Sequence, residues 1–96
     1  MKLLTNELIE KIPKLYETQE DDDPVAYAKL FHPFSNFTIY IVEYDPVSKK
    51  GFGLICGHER ELGYFDLNEV ESVVVFGLKF ERDLYFKPTK LSQLQS

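Results

Sequence analysis

The sequence predicts an α+β domain: an antiparallel sheet of about four to five strands in a meander, with an N-terminal helix and one or two short helices packed on it. Three observations predict this. Apolar residues near the N-terminus recur at helical spacing. Two central runs rich in β-branched and aromatic residues are separated by a short turn. The stretch Asp66-Leu67-Asn68-Glu69 then has the pattern of a capping box. The chain is 96 residues long, the size of one ordinary domain, so residues 1–96 are read as a single domain.

Leu4, Leu8, Ile12 and Leu15, with Ile9 beside them, fall on one helical stripe. Thr5 or Asn6 caps its start, with Glu7 and Glu10 near the favourable positive end. Pro13 lacks an N–H and turns Ile12 away from helical angles, so the helix is expected to end near Lys11. Residues 17–23 hold five acids in Glu-Thr-Gln-Glu-Asp-Asp-Asp. These repel each other and seek water, so the segment is a loop. It lacks the alternate spacing and central glycine of a helix–loop–helix calcium site.

Val25 to Phe31 and Phe37 to Tyr44 read as strands, joined by a turn at His32-Pro33-Phe34-Ser35-Asn36. A second turn, Asp45 to Lys50, leads into a strand from Gly51 to Gly57. Short links of this kind favour antiparallel neighbours. Gly63-Tyr64-Phe65 adds a short strand. A helix from about Leu67 to Val73 would bury Leu67, Val70 and Val74. Phe80 to Phe86 reads as the last strand, and Thr89 caps a final turn that buries Leu91 and Leu94.

Composition bounds the function. Hydrophobic residues make up 44% and charged residues 28%, which is ordinary for a packed domain and excludes a disordered chain. With 11 basic and 16 acidic residues the net charge is −5. Direct nucleic-acid binding, which relies on Lys and Arg displacing counterions, is disfavoured. The lone thiol, Cys56, cannot form an internal disulfide, so a cytoplasmic location is expected. The N-terminus is not a secretory signal, and no run is apolar enough to span a membrane.

Few groups are placed for chemistry. In the last strand Phe80, Arg82, Leu84 and Phe86 would share the inward face, with Lys79, Glu81, Asp83 and Tyr85 opposite. An inward guanidinium needs partners. Glu43, Glu59 and Glu61 are the candidates, and a register-fixing ion pair is the preferred reading over an anion site. Gly51, Gly53 and Gly57 do not make a phosphate loop, because strand residues fill the gaps and no helix follows. They are expected to bare one face of the strand to a ring such as Tyr40 or Tyr44. His58-Glu59-Arg60-Glu61 is the densest titratable cluster and is expected in a solvated connection. With histidines only at 32 and 58 and one cysteine, no metal-ligand pattern forms, and no cofactor is expected. Cys56, on the side of Phe52 and Leu54, reads as an inert core thiol.

Four phrases carry a resemblance. These are Met1-Lys2-Leu3-Leu4-Thr5, Pro24-Val25-Ala26-Tyr27-Ala28-Lys29, Glu61-Leu62-Gly63-Tyr64-Phe65, and Glu81-Arg82-Asp83-Leu84-Tyr85-Phe86-Lys87-Pro88-Thr89. Together they resemble a small bacterial family known as a domain of unknown function, whose members resemble cargo of plasmids, phages and other mobile elements. The resemblance implies a bacterial, intracellular, mobile-element-borne protein and assigns no catalytic residue.

Acids and tyrosines are plentiful and catalytic groups sparse. The expected function is therefore a protein-binding or accessory module that blocks a host or phage nucleic-acid enzyme by phosphate mimicry. Its partner is a protein, and it is a monomer or weak dimer. The candidate binding surface is His58, Glu59, Glu61, Tyr64, Arg82, Asp83 and Tyr85. The alternative is a metal-assisted phosphoester-acting enzyme, which needs Glu59, Glu61, Arg82 and Asp83 to converge. An accessory subunit would instead expose a sizeable apolar patch.

Overall fold

A computed structural model of the chain describes residues 2–94. Five strands form one antiparallel sheet: β2 (Ala28–Phe31), β3 (Thr38–Asp45), β4 (Lys50–Cys56), β5 (Arg60–Asp66) and β6 (Glu81–Arg82), in the order β5-β4-β3-β2-β6. The middle of this order is the expected meander. A two-stranded ribbon pairs β1 (Val25–Ala26) with β7 (Thr89–Lys90). Helices α1 (Asn6–Lys11) and α2 (Leu67–Ser72) and a 3₁₀ turn at Leu91–Gln93 complete the fold.

Both sheet faces are covered. On one face Ala28, Leu30, Ile39, Ile41, Tyr44 and Phe65 pack under Leu3, Leu4, Ile12, Leu67 and Val70. On the other Tyr40, Val42, Leu54 and Cys56 pack under Phe86, Leu91 and Leu94 of the C-terminal segment. Helix α1 is capped by the Thr5 hydroxyl, which accepts from the Leu8 N–H at 3.2 Å. It ends at Ile12, whose backbone is already extended before Pro13, as proline's effect on its predecessor requires.

Several expectations need correcting. Strand β5 runs over seven residues, Arg60 to Asp66, not only Gly63 to Phe65. Arg60 and Glu61 belong to it because an outer strand lets charged side chains face water. The last strand is limited to Glu81 and Arg82. The Asp83 carboxylate accepts from the Tyr85 N–H at 2.9 Å and the Asp83 carbonyl from the Phe86 N–H at 3.3 Å. That turn ends the alternation, so Leu84 is exposed and Phe86 crosses to the second face. Val74 is exposed because α2 stops at Ser72, ahead of three consecutive valines that suit extended backbone better than helix.

The glycine face does meet rings, but not those expected. A Cβ on Gly51 would strike the Phe65 ring, and one on Gly57 would lie 2.8 Å from Phe37 Cε2. Gly53 answers to backbone instead, since its Cβ would overlap the Tyr40 carbonyl.

Candidate functional site

An apolar-floored groove lies on the second face, over β4 and β5. It has a volume of about 670 Å³ and a floor of Phe52, Leu54, Leu62, Tyr64 and Leu91. Asp21, Asp22 and Asp23 stand along one wall, and Arg60 lies at the rim. Tyr64 stays exposed although its ring sits 4.9 Å from Phe52 and 6.2 Å from Tyr16.

A β-bulge builds this groove. The β3–β4 register passes from Ile41↔Gly53 to Glu43↔Phe52, leaving Val42 without its own partner. An unbulged strand would aim Glu43 to the same side as Ile39 and Ile41. The extra residue turns it to the groove side, as bulges commonly re-aim side chains. Glu43 is only 2% exposed, and its carboxylate accepts from the Tyr16 N–H at 2.8 Å, the Thr18 N–H at 2.9 Å and the Thr18 hydroxyl. Sequence alternation does not reveal this role, because the bulge has no residue signature here.

The acidic loop is thereby held rather than free. Tyr16, its first anchor, takes a left-handed backbone with φ of 72°. Farther along, Asp21 accepts from the Asp23 N–H at 3.0 Å, and Asp23 accepts from the Ser92 N–H at 2.9 Å and the Ser92 hydroxyl at 2.6 Å. The Ser92 hydroxyl, followed by the Ser92 N–H, holds the Asp23 carboxyl below its ordinary value of 3.8. The folded state therefore binds this proton less readily than the unfolded chain. Its contribution to stability is complete above about 3.8 and is lost as pH falls below it. Asp23→Asn is expected to flatten the acid limb of a melting-temperature profile between about pH 4 and pH 2. An unchanged profile would show that the Ser92 contact does not form.

The surface residues expected from sequence separate into groups. His58 and Glu59 occupy the β4–β5 turn, and Glu61 and Tyr64 point to opposite faces of β5. Arg82 and Asp83 lie at β6, the other edge of the sheet, and Tyr85 stands alone at 92% exposure. Of these, only Tyr64 lines the groove. Arg82 does not pair with Glu43, Glu59 or Glu61. Its guanidinium donates to the carbonyls of Lys2, at 3.1 Å, and Leu3, so it ties the N-terminal segment to the sheet edge. Asp83 pairs with Lys29 at 3.9 Å. Glu59 and Glu61 are thus separated from Arg82 and Asp83 by the width of the sheet. Among the described residues no cluster of three or more His, Cys, Asp or Glu is arranged to hold a metal ion. Cys56 is a buried free thiol. No helix among those residues is long and apolar enough to cross a membrane.

A second feature escaped the sequence reading. Val75 and Leu78 form a small bridge around a turn at Phe76 and Gly77, both with positive φ. Phe76 is 80% exposed and lies 4.6 Å from the exposed Phe34 ring. Val74, Val75, Leu78 and Phe37 add further exposed apolar surface. Buried His32 holds this tip in place. Its Nδ1 accepts from the Phe34 N–H at 3.2 Å, so Nε2 carries the proton and donates to the Leu78 carbonyl at 3.0 Å.

The chain belongs to the family described as "Protein of unknown function (DUF2958)", which matches residues 3–94. Searches of curated proteins and of solved structures each found no match.

Proposed function

We propose that this member of the DUF2958 family is a protein-binding module that seats a basic segment of a partner in the groove beneath its acidic loop. The observation that supports this is a wall of aspartates, fixed by Glu43 and Ser92, above an apolar and aromatic floor. Fixed acids lose little freedom on binding, and aromatic side chains bury large area at small entropic cost. In its specific form the partner is a nucleic-acid enzyme, whose basic phosphate-binding segment pairs with the row of carboxylates in place of phosphates. Its bacterial, cytoplasmic and mobile-element setting rests on the sequence phrases quoted above.

The test is affinity capture from bacterial extract by the full chain at low and high salt, with mass-spectrometric identification. The expected result is a basic protein whose retention falls with salt and drops by about tenfold or more with Asp22→Lys or Tyr64→Ala. Partners without net positive charge, or retention indifferent to salt, would overturn the reading.

A second reading, an accessory subunit docking through its apolar tip, is favoured by Phe76. An exposed phenylalanine at left-handed φ is poor for folding, since that conformation costs about 1–2 kcal/mol outside glycine. Such strain points to a role outside folding. Phe76→Asn relieves the strain and loses a ring pair worth about 1 kcal/mol. Stability is therefore expected to change by less than about 1 kcal/mol, while capture of the partner is abolished. Undiminished capture would rule this reading out.

A further inference from the structure

We propose that β5 is a self-pairing edge, joining the β5 of a second copy of this chain to make one continuous sheet. The two edges of the main sheet differ sharply. β6 is two residues long, whereas β5 presents seven and nothing pairs with its outer side among the described residues. Natural edges of this length are usually blunted by charged side chains, above all lysine, by proline or by a bulge. The charges of β5 are confined to Arg60 and Glu61 at one end and Asp66 at the other. Arg60-Glu61-Leu62-Gly63-Tyr64-Phe65-Asp66 has no lysine and no proline, and its register with β4 is unbroken.

The hydrogen-bond phase says which groups are free. The Leu67 N–H donates to the Lys49 carbonyl and the Gly57 N–H to the Glu59 carbonyl. Both bonds fall in the same register as the β4–β5 ladder, whose partners include Gly51↔Phe65, Gly53↔Gly63 and Ile55↔Glu61. Alternation then makes these odd-numbered pairs the hydrogen-bonded ones. The backbone groups of Arg60, Leu62 and Tyr64, and the N–H of Asp66, consequently point away from the sheet.

An antiparallel partner centred on Gly63 matches these groups to themselves. In that register Leu62 faces Tyr64 of the second copy, and Arg60 faces its Asp66. The outward backbone groups of Leu62 and Tyr64 lie opposite one another, and the Asp66 N–H lies opposite the Arg60 carbonyl. The side chains of all four residues lie on the groove face, so apolar meets apolar and cation meets carboxylate on one side of the sheet. Arg60 is exposed, with one guanidinium nitrogen on the Leu94 carbonyl at 3.1 Å and no carboxylate partner among the described residues. Asp66 uses one carboxylate oxygen to cap Asn68 at 2.8 Å, leaving the other for the guanidinium. The arrangement is isologous, so it closes at two copies. It also places the two acidic grooves on the same face of the joined sheet.

Sedimentation equilibrium of the full chain over a concentration series is the test. The expected result is a species of twice 11.2 kDa that dissociates on dilution. Leu62→Pro removes an outward N–H that β4 does not use. Prolines of that kind are tolerated on edge strands, so it should weaken the dimer by about tenfold or more with unchanged circular dichroism. Arg60→Asp sets two acids opposite each other and should do the same without touching the backbone. In hydrogen exchange the amides of Leu62 and Tyr64 should gain protection only in the dimer, while Glu61 and Gly63 are protected at every concentration. A chain of 11.2 kDa up to about 1 mM, or a dimer indifferent to Arg60→Asp, would overturn the proposal.

Discussion

Glu43→Ala is expected to lower the folding stability by about 3–5 kcal/mol, seen as a fall in the urea midpoint with little change in slope. The carboxylate is almost wholly buried at the base of the groove, and it terminates the Tyr16 N–H, the Thr18 N–H and the Thr18 hydroxyl together. Alanine leaves those donors facing a void. Hydrogen bonds to an ionised group are worth about 1.5–3 kcal/mol each, and a buried donor left unpaired adds its own penalty. The left-handed backbone at Tyr16 loses the bond that holds it. Glu43→Gln tests the chemistry at nearly constant volume. It keeps one acceptor oxygen but points an NH₂ at the remaining donors, so its effect should fall between wild type and alanine. Thr18→Val, which removes one donor and adds no cavity, should cost about 1 kcal/mol. A midpoint for Glu43→Ala indistinguishable from wild type would mean that the acidic loop is held by something else, and the groove's wall would lose its claim to be preorganised.

What the sequence reveals of this fold divides along a physical line. Features set by neighbours in the chain were legible. Thr5 and Pro13 bound α1, Asp66 caps α2 through Asn68, and the Asp45–Lys50 turn precedes β4, each by local sterics or a short hydrogen bond. Features set by distant partners were not. The Val42 bulge follows from how β3 meets β4, and nothing in Ile41-Val42-Glu43 distinguishes it from regular strand. Arg82 was legible as a group needing partners, but its partners are the backbone of Lys2 and Leu3, some eighty residues away. The charged start of β5 resembled a loop because an edge strand and a loop expose charges alike. The candidate surface separated for the same reason. His58 to Tyr64 and Arg82 to Tyr85 are each local stretches whose relative placement depends on strand order, which puts β5 and β6 at opposite edges.

Gly53→Ala is expected to be the most damaging single methyl in the chain, with a loss on the order of 4 kcal/mol. Gly51, Gly53 and Gly63 all lie in the β3–β4–β5 ladder, yet what each approaches differs. At Gly53 an added Cβ would overlap the Tyr40 carbonyl oxygen and sit 2.9 Å from its carbonyl carbon and 3.2 Å from Ile41 Cα. All three atoms are backbone, immediately before the bulge. Relief requires β3 to move away from β4, which would break ladder bonds on both sides and carry Glu43 from its donors. At Gly51 the obstruction is the Phe65 ring, a side chain that can tilt at the expense of core packing. Gly51→Ala should therefore cost about 1–3 kcal/mol. At Gly63 the nearest atom to an added Cβ is Ile55 Cδ1 at 3.6 Å, an ordinary contact. Gly63→Ala should be neutral or mildly stabilising, because alanine loses less backbone freedom on folding. Urea titrations of the three variants give the order directly. If Gly53→Ala proved no worse than Gly51→Ala, the close backbone approach at the bulge would not exist, and neither would the geometry that delivers Glu43 to the acidic loop.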